Sequence, residues 1–433
     1  MKIAVVGLGF VGIPAAAALA GAGHDVVGID IDPRKVEALN AGRNPIATRE
    51  EDLDELVARV VVEGRLRASP DFEGCGQAEA VLICVDTPID PHSKEPDYAA
   101  LKAALEHTAA KMKKGVLVSV ESTLAPGTMR EVVRPALEEV SGLKAGEDFG
   151  LVHCPERVTA GRLLHNLLHL DRVLGAEDEV SAQRAHELYD TICQGLHGTN
   201  WVNAELSKTV ENAYRDVQLA FANEVGLLCE FVGGDAFRVR ELVNTRPDRD
   251  LLLPGPGVGG HCLAKDAWLL NSSAGGRSTL IPRAREVNEG MTEHVVALIQ
   301  RGLESVGKEL PGAKILILGG AYRENIGETA NSPALRLHEV LKDRGAEVRL
   351  HDPHIPEVEG VDLWRDLSRA SEGRDCLVLI TPHDDYRGID WDATFRGMNE
   401  KVVVDCRGFL PTEIRHDPEV TFLGLGIAGT PVA

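Results

Sequence analysis

The chain has 433 residues and a formal net charge of −21, from 67 acidic against 46 basic side chains. Such a length suits two or three domains with large cores, and the acidic excess argues against nucleic acid or an anionic membrane as partner. No apolar run is long enough to span a bilayer, Lys2 leads straight into a strand rather than a signal peptide, and the eight cysteines lack disulfide-framework or zinc-site spacing. A reduced, cytoplasmic protein without a metal is expected. An anionic ligand would need a local cluster of Arg and Lys.

The amino terminus is an apolar run that ends in Gly7-x-Gly9-x-x-Gly12. An alanine-rich helix from Ala15 closes at Gly23, and Val26-Val-Gly-Ile29 is a second buried strand ending at Asp30. Strand, glycine turn, helix, strand and acid in this order form the dinucleotide-binding fingerprint. The pyrophosphate of NAD would rest on the helix N-terminus. Asp30 would accept from the adenine ribose and repel the extra phosphate of NADP.

Further buried strands are expected at Ala80–Val85 and Gly115–Val120, with a helix over Tyr98–Met112 between them. Thr87-Pro88 and Ser122-Thr123 follow these strands at their carboxyl ends, where open α/β sheets bind ligands. Asp148–Cys154 is another strand, followed by Pro155-Glu156-Arg157, and residues 173–192 hold a last strand and a helix.

From about Asn203 to Val232 the pattern changes to one long helix without Pro, the kind that forms a spine or an oligomer seam. Its apolar Val210, Val217, Leu219, Phe221, Val225 and Leu228 exceed what one domain's stripe requires, which predicts a homodimer or a higher oligomer. Lys208 and Asn212 are four apart and share a face. An ammonium and an amide there could stabilise an oxyanion, or could be a solvated Lys and a surface Asn.

Helical segments continue through about residue 305, and Pro311-Gly312 opens a second α/β unit. It runs through Lys314–Leu318, a helix from Ser332 to Arg344, Glu347–Leu350 and Asp352, then strands Cys376–Ile380 and Lys401–Asp405. Its Gly319-Gly320 turn lacks the full glycine triplet.

The stretch Pro254-Gly-Pro-Gly-Val-Gly-Gly-His-Cys-Leu-Ala-Lys-Asp266 brings glycines up to one cysteine and then a helix. Glycine lets backbone approach a ligand closely. A cysteine at the first turn of a helix is favoured as thiolate, and Asp266 would share its face. A nucleophilic sulfur near a carboxylate suits covalent acyl chemistry; a buried structural Cys is the plain alternative.

Taken together, Gly7-Leu-Gly-Phe-Val-Gly12, Cys84-Val-Asp-Thr-Pro88, Glu121-Ser-Thr-Leu-Ala-Pro-Gly127, Cys154-Pro-Glu-Arg157, the Lys208/Asn212 helix and Gly259-Gly-His-Cys-Leu-Ala-Lys-Asp266 resemble the UDP-glucose/GDP-mannose dehydrogenases, in the same order, from residue 1 to about 410. The resemblance implies two Rossmann-like α/β domains joined by a central helical segment with one long helix. Its expected bounds are 1–200 for NAD binding, 201–308 for the catalytic residues and dimer seam, and 309–433 for the nucleotide sugar. It further implies oxidation of a nucleotide sugar's C6 alcohol to a carboxylate with two NAD in succession. Cys262 would be the nucleophile, Lys208 and Asn212 would stabilise the alkoxide, and Glu156, Thr123 and Asp266 would activate the water.

The resemblance also implies that Gly7, Gly9, Phe10, Val11, Gly12, Asp30, Arg34 and Lys35 hold the cofactor, with Thr87, Pro88, Thr123, Glu156 and Lys265. The UDP-sugar would meet Glu156, Arg157, Val158, Lys208, Asn212 and Arg215, then Gly257, Gly259, Gly260 and His261, and finally Arg323 and Arg407. Arg246 matches an arginine that reaches a neighbouring subunit's substrate. The finer motifs look like the N-acetylhexosamine branch, with Ala160 where UDP-glucose enzymes carry a second carboxylate. That favours UDP-N-acetylmannosamine over UDP-N-acetylglucosamine or UDP-glucose. Ala264, Arg323, Ala330 and Gly408 depart from the family pattern, which bears on the nucleotide contacts. A binding or regulatory protein is the alternative class, and the retained Cys262, Lys208, Asn212 and Asp266 argue against it.

Overall fold

The computed structural model describes residues 1–46 and 50–429, so the end of the expected 309–433 domain, residues 430–433, lies outside the described residues. The chain divides into two units, Met1–Asn212 with Lys265–Ser278, and Ala213–Ala264 with Thr279–Ala433. The divisions fall inside two helices, Trp201–Val232 and Leu263–Ser272.

In the first unit the strands are β1 (Lys2–Val6), β2 (Asp25–Ile29), β3 (Leu66–Ser69), β4 (Ala80–Ile83), β5 (Leu117–Val120), β6 (Gly150–His153), β7 (Arg172–Ala176) and β8 (Leu196–Thr199). They form one sheet in the order β3-β2-β1-β4-β5-β6-β7-β8. Neighbours run parallel except β6 and β7. The central strands are apolar throughout because helices cover both faces of a parallel sheet. Ala80–Ile83 and Leu117–Val120 are buried at every position.

The glycine turn after β1 shows why its residues are small. Gly7 has φ +95°, and a Cβ on Gly12 would lie 1.8 Å from the Gly7 carbonyl oxygen. The helix that follows, Gly12–Gly21, is buried over Gly12–Ala20. Its alanines let it lie close to the sheet at little entropic cost.

At the carboxyl ends of β5 and β6 a buried cluster holds two loops in place. The Arg172 guanidinium donates to Glu121 at 2.8 Å and to the Cys154 carbonyl at 2.8 Å. It also lies 4.6 Å over the Tyr189 ring, whose hydroxyl donates to Glu121 at 2.7 Å. Removing one partner of such a buried pair costs about 3–5 kcal/mol. The chain leaves this cluster toward Thr123 on one side and Glu156 on the other.

The second unit contains β9 (Lys314–Leu318), β10 (Glu347–His351), β11 (Leu363–Trp364), β12 (Cys376–Leu379), β13 (Val402–Asp405) and β14 (Thr421–Gly424). These form a parallel sheet in the order β11-β10-β9-β12-β13-β14. Asp352, just past β10, accepts from the N–H groups of Gly320 (2.7 Å) and Ala321 (3.0 Å) and from His383 Nε2 (2.9 Å). Burial alone would raise this carboxyl, but His383 and further backbone donors hold it well below the usual carboxylate range. The bonds fix the turn that opens the loop after β9.

The long helix covers Trp201–Val232, two residues earlier than the sequence suggests. Along it Val210, Tyr214, Phe221, Leu228 and Phe231 are exposed apolar side chains, while Val217, Leu219 and Val225 are half-buried. Among the described residues, no helix is long and apolar enough to cross a membrane.

Four strands escape the sequence pattern: β3, β8, β11 and β14. All four are sheet edges. An edge strand is paired on one side only and needs no continuous apolar run. Residues 173–192 therefore do not hold the last strand of the first sheet, because β8 follows with Leu196-His-Gly-Thr199 half-exposed.

Candidate active site

The cofactor-type residues gather at the carboxyl end of β1 and β2. The Asp30 carboxylate accepts from Leu8 N–H at 2.8 Å and Asp32 N–H at 2.9 Å, and pairs with Lys35 Nζ at 3.2 Å. It is thereby aimed at the glycine turn. A Cβ on Gly9 would meet nothing within 4 Å, so space above the turn is open. The helix at Gly12 begins without a side-chain cap. Its first N–H groups and the helix dipole suit a pyrophosphate. This cradle fits NAD, with Phe10 and Val11 half-buried at its rim.

Thr87 is buried and its hydroxyl donates to the Thr123 carbonyl at 2.6 Å, joining the loops after β4 and β5, with Pro88 next in the chain. Arg34 lies on the surface and pairs with Asp32 at 2.8 Å, holding that carboxyl below its usual range.

One face of the long helix organises the rest of the first unit. Glu205, Lys208 and Asn212 are spaced by three and four residues and so project together. Glu205 accepts from Gly127 N–H at 2.6 Å and Met129 N–H at 2.7 Å, fastening the turn that carries Thr123. Burial pushes the Glu205 carboxyl up, against the pull of those two donors. Lys208 Nζ meets Glu156 at 3.2 Å, with both side chains buried. Asn212 Nδ2 donates to Asp266 at 2.5 Å. Asp266 is fully buried on the helix Leu263–Ser272 and also meets Lys265 Nζ at 3.0 Å.

Glu156 also accepts from Val158 N–H. Arg157 reaches Glu211 at 2.9 Å and the Asp171 carbonyl at 3.2 Å. The first unit thus brings Thr87 to Thr123, Glu156 to Lys208 and Asn212 to Asp266.

In the second unit Cys262 stands immediately before the helix at Leu263 rather than inside its first turn, and it is half-buried. None of the eight cysteines is in a disulfide. The glycine loop ahead of it is anchored by side chains that sequence reasoning missed. Gly255 N–H donates to Asn223, Asn223 donates to Asn288, and Asn288 donates to Asp216 (2.8, 2.8 and 2.9 Å). Asp216 is paired with buried Arg285 at 2.7 Å. The seven-residue spacing of Asp216 and Asn223 on one helix face was the available signal.

Gly257 and Gly260 have φ +133° and +89°. A Cβ on Gly259 would lie 2.6 Å from Tyr322 Cβ, next to the half-buried Arg323. His261 pairs with Glu328 at 3.7 Å, which lowers the Glu328 carboxyl. Arg407 lies against Gly255, whose Cβ would come within 2.5 Å of the guanidinium. Two expected substrate residues are not gathered in: Arg215 is exposed, and Arg246 is exposed and paired with Asp248 at 2.7 Å. Among the described residues, no group of His, Cys, Asp and Glu could hold a metal ion.

Three family models cover the chain. The NAD binding domain of the UDP-glucose/GDP-mannose dehydrogenase family matches residues 1–193, its central domain 202–290 and its UDP binding domain 316–412. A UDP-N-acetyl-D-mannosamine dehydrogenase of Pyrococcus horikoshii is 36% identical over 99% of this chain and 99% of its own. An NDP-N-acetyl-D-galactosaminuronic acid dehydrogenase of Ralstonia nicotianae is 34% identical over 94% of this chain and 95% of its own. The solved structure of a Pyrococcus horikoshii UDP-D-ManNAc dehydrogenase superposes with a TM-score of 0.93 at 35% identity, covering 99% and 100% of the two chains.

The Asp30 carboxylate yields a prediction about cofactor choice. NAD should be strongly preferred to NADP, and Asp30→Ser should narrow that preference by roughly five- to several-hundredfold, since facing charges near a surface interact by about 1–4 kcal/mol. Steady-state kinetics with both cofactors measure it. An unchanged ratio would show that Asp30 does not face the ribose.

Proposed function

The chain belongs to the UDP-glucose/GDP-mannose dehydrogenase family, and from that premise we propose that it is an NAD-dependent nucleotide-sugar 6-dehydrogenase acting on a UDP-N-acetylhexosamine, UDP-N-acetylmannosamine first among them. The observation that carries this reading is the pairing of Lys208 with Glu156 and of Asn212 with Asp266, together with a half-buried Cys262 four residues earlier in the chain than Asp266.

When bound, NAD accepts two electrons at each of two successive oxidations of C6. The first oxidation leaves an aldehyde. The Cys262 thiolate adds to its carbon, forming the S–C bond and turning the carbonyl oxygen into an alkoxide. The Lys208 ammonium and the Asn212 amide stabilise that charge. Oxidation of this thiohemiacetal gives a thioester. Water then adds to the acyl carbon, the S–C bond breaks, and carboxylate and thiolate are released. Asp266 and Glu156 are the carboxylates available to take the water's proton, with Thr123 to orient it.

The match of residues 316–412 to the family's UDP binding domain supports assigning the nucleotide to the second α/β unit, where Arg323 and Arg407 are the basic groups of the expected set. Ala160, in place of a longer acid, leaves room for an acetamido group. The Ralstonia relative's name supports the N-acetylhexosamine class more than one epimer. NADH release from UDP-N-acetylmannosamine, UDP-N-acetylglucosamine and UDP-glucose decides among them.

For the chemistry, two NADH should form per carboxylate, without free aldehyde. Cys262→Ser should bind NAD and substrate yet lose complete oxidation by about a thousandfold or more. One NADH per sugar with accumulating aldehyde, or full turnover by Cys262→Ser, contradicts the covalent mechanism.

A second copy of the chain would cover the exposed Tyr214, Phe221 and Leu228 stripe as a two-fold dimer, with Arg246 serving the partner's substrate. Light scattering should give a dimer. Arg246→Ala and Cys262→Ala chains, each inactive, should regain activity on mixing, and no recovery after proven subunit exchange would exclude a shared site.

A further inference from the structure

The loop between β9 and the helix Pro333–Asp343 does more than carry Arg323. Two of its consecutive residues take both polar backbone groups of Gly260: Gly260 N–H donates to the Ala330 carbonyl at 2.8 Å, and Asn331 Nδ2 donates to the Gly260 carbonyl at 3.0 Å. Asn331 does this from a left-handed backbone, φ +49°, a region that Asn and Asp enter more readily than other side chains. Glu328 shapes the approach by accepting from Thr329 N–H (2.9 Å) and Ala330 N–H (3.0 Å), and it also pairs with His261. On the far side, Ser332 caps the next helix and donates to the Gly320 carbonyl at 2.7 Å. Gly260 lies two residues before Cys262 at φ +89°, and since a glycine backbone is free to take many conformations, contacts from outside must hold this one.

We infer that Asn331 is a positioning residue for the Cys262 thiol: its amide locks the Gly260 peptide and so fixes the chain leading into the nucleophile. The inference rests on the reading of Cys262 as nucleophile. Its consequence is specific to the second oxidation. The first needs no thiol, so a displaced Cys262 leaves alcohol oxidation intact while adduct formation slows and aldehyde escapes. Misplacement of a reacting group by about 1 Å costs on the order of a hundredfold.

Asn331→Gly isolates the side chain, because glycine takes the same backbone without strain. Asn331→Asp keeps the size and the left-handed tolerance but replaces the donor with an acceptor facing the Gly260 carbonyl. With UDP-N-acetylmannosamine, both variants should keep the wild-type Kd for NAD and a KM near wild type. Their kcat for carboxylate should fall at least about tenfold, within the range that misplacement produces. Aldehyde trapped as a hydrazone should appear, with more than two NADH per carboxylate, and iodoacetamide should alkylate Cys262 at an altered rate. Wild-type carboxylate turnover without aldehyde in Asn331→Gly and Asn331→Asp would overturn the inference. Cys262→Ser run in parallel separates the two failures. If it completes the oxidation, the nucleophile reading falls; if it is blocked while both Asn331 variants behave as wild type, only the positioning role falls.

Discussion

The hydrogen bond from Asn212 to Asp266 is the constraint on which the candidate site of the first unit depends. It ties the long helix to the helix that starts directly after Cys262. Two turns of the long helix place Glu205, Lys208 and Asn212 on one face, and each side chain ends on a different segment. Glu205 holds the Thr123 turn, Lys208 holds the Glu156 loop, and Asn212 holds Asp266. Charge-assisted bonds between buried groups are strong, and unpaired buried groups are costly. The three segments therefore keep a common register set by helical geometry, without needing a rigid loop of their own.

Charge compensation shapes what such a site can bind. In a chain of net charge −21, the cations of the first unit's site already face carboxylates. Lys208 meets Glu156, Lys265 meets Asp266, and Arg157 meets Glu211. These pairs suit proton handling and alkoxide stabilisation better than the capture of a diphosphate. The uncapped helix start at Gly12 instead offers backbone donors of the kind that suit phosphate. Residues 316–412, which match the family's UDP binding domain, hold most of the second sheet. There Arg323 stands in a loop whose entrance is fixed by Asp352 through Gly320 and Ala321.

Much of this was legible in the sequence, for identifiable reasons. Central strands of a parallel sheet must be apolar on both faces, so β1, β4, β5, β9 and β12 stand out as uninterrupted runs. The edges β3, β8, β11 and β14 do not, being paired on one side only. The long helix was evident from its length without proline. Lys208 and Asn212 were visible as a pair because both lie on one element four residues apart. Glu205 lies one turn earlier on the same helix, but nothing local shows that a carboxylate there will meet two backbone N–H groups some 76 and 78 residues away. Asn331 was less legible still. Its left-handed backbone and its bond to Gly260, 71 residues earlier, are consequences of tertiary packing that no spacing rule encodes. Arg246 shows the reverse limit, since in a single chain it simply pairs with Asp248.

The covalent step at Cys262 is the centre of the account, and intact-protein mass spectrometry after rapid quenching reads it directly. Asp266→Asn retains an amide oxygen to accept from Asn212 but removes one of the two carboxylates assigned to activating water. During turnover of the variant with UDP-N-acetylmannosamine and NAD, the protein should gain the mass of the uronyl thioester, located by digestion to the peptide containing Cys262. An unmodified Cys262 peptide throughout a turnover that forms carboxylate would contradict it.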